Sequence, residues 1–178
     1  MEEKKLAGLE PGAVFEYFEA LCAIPHGSHN TKAISDFLVD FAKKQQIRYI
    51  QDESNNIILF ADGTCGLEGH EPVVLQGHMD MVCEKDEGCP IDMDTQGLDL
   101  CHDNLCVFAK GTTLGGDDGI AVAYAMALIA DRTIPHPPLE VIITVDEEIG
   151  MLGADVIDVS MLKGRKMINL DSEDEGIF

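Results

Sequence analysis

Basic residues are scarce in this chain. Lys and Arg together number 12 against 33 Asp and Glu, for a formal net charge of −21. Such a surface repels phosphate backbones and anionic lipid, which excludes nucleic acid and membrane surfaces as partners. No run of about 18 apolar residues occurs, so no transmembrane helix is expected. The opening Met1-Glu2-Glu3-Lys4-Lys5 lacks the apolar core of a secretory signal, and a cytoplasmic location is expected. The six cysteines form no CxxC pair, so reduced thiols are expected. Cys101-His102 with Cys106 is loosely spaced, and no second pair of fixed spacing completes a structural zinc site. Internal repeats of about 20–50 residues and low-complexity tracts are also missing.

The chain does have enough length for one domain. Its 178 residues, 46% hydrophobic and 25% charged, suit a soluble globular protein with a sizeable core. Val14, Phe15, Phe18, Leu21 and Cys22 recur at helical spacing and predict a helix over residues 12–24, ended by Pro25. His26-Gly27-Ser28-His29-Asn30 reads as a turn. Asn30 or Thr31 can then cap a second helix that runs to about Gln46, with Ile34, Phe37, Leu38 and Phe41 on one face. Strands are predicted at 48–51, 56–61, 71–76, 139–145 and 166–170. Residues 84–111 form an excursion with a possible hairpin of 98–101 against 105–109 around Asp103-Asn104. Residues 119–130, GIAVAYAMALIA, are apolar almost all round and predict a buried helix; 153–162 is a further helix candidate. Alternating strands and helices predict an α/β fold. Its mostly parallel mixed sheet is flanked by helices on both faces, with 48–61 as an antiparallel edge.

Three apolar strands run into residues that can bind metal. Val73–Gln76 leads through Gly77 to His78-Met79-Asp80, Val141–Val145 leads to Asp146-Glu147-Glu148, and Met167–Leu170 leads to Asp171-Ser172-Glu173. A fourth segment, Gly115-Gly116-Asp117-Asp118-Gly119, opens the buried helix. In parallel α/β sheets the functional crevice lies outside the carboxyl ends of the strands. Taken singly, a carboxylate after a strand is usually a turn or helix-cap residue, and Asp118 reads as an N-cap. Taken together, several carboxylates converging in one cleft repel each other, and a divalent cation relieves that repulsion. Residues i and i+2 of an extended chain point the same way, so Asp80 can reach back to the ring N–H of His78 and fix its tautomer. Glu147 and Glu148 are adjacent and point apart. One can serve as a metal ligand and the other as general base, the division of labour a metallohydrolase needs.

The segments GHMDMV, GTTLGGDDGIAVAYAMAL, TVDEEIGMLGA and INLDSEDEG resemble the signature segments of the metallopeptidase family that includes carboxypeptidase G and aminoacylase. IPHGSHN, VVLQGHMDMVCEK and GTTLGGDDGI are most similar to its aminoacyl-histidine dipeptidase subgroup. The resemblance covers nearly the whole chain in unbroken order. It implies a two-zinc exopeptidase (Co2+ or Mn2+ also possible) in which Asp117 bridges the ions. His78 and Asp171 complete one ion, and Glu148 binds the other with a histidine further along the family's chains. Glu147 is then the general base, Asp80 supports His78, and the Asp117-Asp118 peptide bond is cis. Asp117, Glu148 and Asp171 would bring three negative charges to two divalent ions, leaving a site that favours bound hydroxide.

The implied reaction is hydrolysis of small peptides, Xaa-His dipeptides in particular. Residues 1–178 would be the amino-terminal portion of the catalytic domain. The dimerising lid, the rest of the catalytic domain and the distal histidine would be absent from it, the whole protein a homodimer through the lid, and this portion alone inactive. An aminoacylase or tripeptidase of the same family, or a non-catalytic metal-binding chain, are the alternatives that the sequence leaves open.

Overall fold

The computed structural model describes residues 4–103 and 105–171. Two helices come first, α1 (Gly12–Cys22) and α2 (Lys32–Gln45). An antiparallel pair follows, β1 (Arg48–Gln51) and β2 (Ile57–Ala61), and then β3 (Val73–His78). The excursion holds a small antiparallel ribbon of β4 (Leu100–His102) and β5 (Val107–Ala109). Its predicted turn at Asn104 lies outside the described residues. The chain then forms α3 (Gly116–Ala130), β6 (Leu139–Thr144) and β7 (Lys166–Asn169).

The five-stranded sheet has the order β1-β2-β6-β3-β7. β6 is its centre and is buried at every position, which explains its unbroken apolar run. β3 pairs parallel with β6 on one side and with β7 on the other, while β2 meets β6 antiparallel. The parallel and antiparallel halves are therefore equal, and the antiparallel edge expected at 48–61 extends to the central strand.

Burial follows the pleat. Ile57, Leu59 and Ala61 of β2, Leu75 of β3, and Leu139, Val141 and Ile143 of β6 join the buried side chains of all three helices in one core. Large side chains buried this way stabilise by roughly 1.5–3 kcal/mol each, so this core fixes where the strands end. α3 is rich in alanine, with Ala121, Ala123, Ala125 and Ala127 buried, and packs against both α1 and β3. The helices thus share one core instead of dividing between the faces. On the other face of β6 the carboxylate of Glu140 accepts the backbone N–H groups of Lys163 and Gly164, at 2.9 Å for each closest approach. That pins the segment that leads into β7.

The helix candidate at 153–162 does not form. The segment makes turns at 152–156 and 160–161 and is irregular between them. Val156, Ile157 and Val159 are β-branched, which lowers helix propensity, and the Asp158 carboxylate accepts the Ser160 N–H at 2.9 Å, an alternative to the helical bond.

Gly77 sets the spacing between sheet and helix. A side chain at this position would collide with the Asp118 carboxylate and approach Ala121 Cβ at 3.3 Å. Gly77→Ala should therefore push α3 away from β3 and destabilise the protein by about 1–3 kcal/mol in urea unfolding. Unchanged stability would mean that α3 is not held at this distance.

Candidate metal centre

His78 closes β3 and is completely buried. Its Nδ1 lies 3.0 Å from the main-chain oxygen of Asp80 and 3.4 Å from Asp80 Oδ1. Nδ1 is therefore placed to carry a proton, and Nε2 faces the cleft with Asp117 Oδ1 at 3.1 Å and Glu147 Oε2 at 3.9 Å. Asp80 thus meets Nδ1 twice, with its backbone carbonyl at 3.0 Å and with the expected carboxylate at the longer 3.4 Å. Its carboxylate is 1% exposed as a residue and serves other partners. Oδ1 accepts the Glu147 N–H at 3.0 Å, and Oδ2 accepts the Ser28 hydroxyl at 2.8 Å and the Glu148 N–H at 3.4 Å.

Asp117 and Asp118 open α3, and the peptide bond between them is cis. Asp117 presents an exposed carboxylate to the cleft. Asp118 is buried and makes no capping hydrogen bond with the helix, contrary to the N-cap expectation. Its Oδ2 instead accepts the backbone N–H of His78 at 3.1 Å, tying the helix start to the end of β3.

Glu147 and Glu148 sit on a loop whose neck is closed by Gly153 N–H donating to the Val145 carbonyl at 3.0 Å. The buried Asn56 side chain grips both edges of this neck. Its Oδ1 accepts the Val145 N–H and its Nδ2 donates to the Gly153 carbonyl, each at 3.0 Å. Gly153 has no room for a side chain, because a Cβ there would lie 2.8 Å from the Val145 nitrogen. Asp146, with a left-handed φ of 53°, accepts the His29 backbone N–H at 2.6 Å. Ser28 and His29 lie in the IPHGSHN segment, but nothing in the sequence assigned them a role; Asn56 and the bracing role of Asp118 carry no motif signal at all.

Donor atoms assemble into two groups that share His78. His78, Asp117 and Glu148 form one, and His78, Glu147 and Asp171 the other, with all donor atoms in each group within 4.8 Å of one another. The sequence expectation paired Asp117 with Asp171 around His78; no group of three contains both among the described residues. Glu147, expected as a base, stands among the donors, and the Asp80 carboxylate belongs to neither group. Ser172 and Glu173 lie outside the described residues. Cys101 and His102 lie in β4 and Cys106 just before β5, and none of them enters a donor group among the described residues. Two cavities of about 500 and 400 Å³ lie elsewhere, beside α1 and at the opposite end of the sheet, and include no residue of the cluster.

The electrostatics fit a divalent cation. None of the described lysines or arginines makes an ion pair with these carboxylates. Burial raises the Glu148 pKa, and repulsion from Asp117, Glu147 and Asp80 raises it further. Burial also lifts Asp118 to about 7. Burial disfavours a charged His78, yet hydrogen bonding and charge from Asp80, Asp118 and Asp117 override it and bring its pKa to about 9. Burial opposes the Asp80 carboxylate as well, but bonds from His78, Glu147 and Ser28 hold its pKa below the usual range. One outward-facing imidazole nitrogen among carboxylate oxygens is a donor set that suits zinc and its divalent neighbours.

Residues 74–173 match the model of peptidase family M20/M25/M40. The chain is 38% identical over 172 residues to the cytosol non-specific dipeptidase of Escherichia coli, covering 97% of this chain and 36% of that protein. Its fold superposes on aminoacylhistidine dipeptidase from Vibrio alginolyticus with a TM-score of 0.91 at 38% identity, covering 96% of this chain and 35% of that one. A tripeptidase from Staphylococcus aureus shares the fold with a TM-score of 0.74 at 20% identity, over 91% of this chain and 43% of that one. The chain thus spans about a third of the length of the first two relatives.

A cation at His78 Nε2 must displace a proton that the ring holds up to about pH 9. Proton competition therefore weakens binding on the acid side. Apparent affinity for a divalent metal should rise about tenfold per pH unit between about pH 7.5 and 8.5. Competition titration against a chelator of known affinity checks this, and a flat profile would contradict it.

Proposed function

The chain belongs to peptidase family M20/M25/M40, and on that premise we propose that it carries the metal centre of a dipeptidase that hydrolyses short peptides through a divalent-metal site. The observation that carries this reading is the His78–Asp117–Glu148 group at the carboxyl ends of parallel strands, with its donor atoms within 4.8 Å of one another. His78, Asp117, Glu148 and Asp171 would hold the ions, two zinc ions in the fullest form of the proposal. When bound, they would polarise the scissile carbonyl and lower the pKa of an attacking water.

The remaining roles fall to the chain's own side chains. Asp80 keeps the proton of His78 on Nδ1 through its backbone oxygen, which leaves Nε2 free as a donor. Glu147 is the proposed base: its carboxylate takes a proton from water and returns it to the leaving amine nitrogen. The Asp80 carboxylate positions Glu147 by its backbone N–H and not by its side chain. The base can therefore turn while its loop stays fixed.

The substrate proposal rests on the relatives. One is a cytosol non-specific dipeptidase and the other an aminoacylhistidine dipeptidase. Dipeptides are the proposed class, Xaa-His the narrower form, and the cytosol the proposed compartment. Among the described residues no helix is long and apolar enough to cross a membrane. A lid domain that dimerises the whole enzyme and a further histidine ligand belong to the same proposal. For residues 1–178 by themselves we propose metal binding with little turnover, because both donor groups draw on the single histidine His78.

The whole enzyme should cleave β-alanyl-histidine and other Xaa-His dipeptides and lose that activity to chelator. Chelator-insensitive hydrolysis would contradict the metal reading. Glu147→Gln should lower kcat by about 10²–10⁴ while the metal content stays unchanged. Full activity in that variant would remove Glu147 from the base role.

A further inference from the structure

The turn between α1 and α2 touches the metal centre without supplying a ligand. Ser28 donates its hydroxyl to Asp80 Oδ2 at 2.8 Å. That oxygen has one other partner, the Glu148 N–H, at a long 3.4 Å. The second carboxylate oxygen, Oδ1, accepts the Glu147 N–H at 3.0 Å and lies 3.4 Å from His78 Nδ1. One buried carboxylate therefore links the imidazole of the centre to the backbone of the acidic pair, and Ser28 makes its shortest hydrogen bond. Without the hydroxyl, Oδ2 would keep only a bond near the limit of useful geometry, and the carboxylate could rotate about its terminal torsion.

From this geometry we infer that Ser28 is a positioning residue for the metal centre, locking the Asp80 carboxylate so that His78 and Glu148 present their donor atoms to one cation. The inference rests on the metal reading above.

The turn itself does not depend on this hydroxyl. Gly27 forms a bridge with Met81, and the Met81 N–H donates to the His26 carbonyl at 3.2 Å. The His29 backbone N–H holds Asp146 at 2.6 Å. Removing the Ser28 hydroxyl should therefore loosen the Asp80 carboxylate at Oδ2, leaving it held through Oδ1 by the Glu147 N–H, while the backbone around it stays in place. Ser28 is only half-buried, and threonine at this position keeps the hydroxyl.

Cobalt(II) is the probe, since its visible absorption reports ligand geometry directly. Cobalt titrations of wild type, Ser28→Ala and Ser28→Thr, with metal-free thermal unfolding of each, form the test. Ser28→Ala should bind cobalt about tenfold more weakly and with an altered visible band, the scale of loss seen when an outer partner of a ligand is removed. Its metal-free melting temperature should shift by no more than about 4 °C, and Ser28→Thr should restore wild-type affinity and band. Wild-type cobalt binding in Ser28→Ala would overturn the inference and leave the metal reading standing. So would a loss that tracks a large fall in melting temperature and is not recovered by Ser28→Thr. A wild-type protein that binds no cobalt at all would overturn both.

Discussion

The carboxylate of Asp80 is out of water, and the arrangement of the centre follows from how its charge is met. Hydrogen bonds from Ser28, Glu147 and Glu148 surround it, and the His78 ring lies beside it. A buried carboxylate without such donors would be costly, and the chain would neutralise it by protonation. Because three of these groups sit on different strand ends or turns, satisfying one charge fixes the relative placement of β3, the acidic loop and the turn after α1. Asp118 does the same service behind the cleft, where its carboxylate receives the His78 backbone N–H. The exposed face is then left with acids that lack counter-charges, and the raised pKa values of Glu148 and His78 record that imbalance.

Much of this was legible from residue order. β6 reads as a strand because a central strand is apolar at nearly every position, and α3 because its helix is apolar all round. The parallel run of β3, β6 and β7 explains why His78, the acidic pair and Asp171 approach each other from segments far apart in the chain. What was not legible depends on long-range partners. Ser28 lies 52 residues from Asp80, His29 lies 117 from Asp146, and Asn56 lies 89 from Val145. No local spacing encodes such bonds. Asp118 was misread for the same reason: its position suits an N-cap, but a backbone donor on β3 takes its carboxylate first.

Two further departures are physical in origin. Residues 153–162 carry enough apolar side chains to suggest a helix, but β-branching and the Asp158 turn bond favour turns. The donor groups also differ from the pairing implied by family resemblance, because Glu147 reaches toward His78 Nε2 alongside Asp171. That places the proposed base among the ligands.

The central claim is that this acidic cluster is a metal centre. Anomalous diffraction at the zinc edge, from crystals of the protein grown with zinc, tests it most directly. The account predicts a peak within about 2.0–2.2 Å of His78 Nε2 and of carboxylate oxygens from Asp117 and Glu148. No peak at this cluster, or a peak only at the Cys101–Cys106 ribbon, would contradict it.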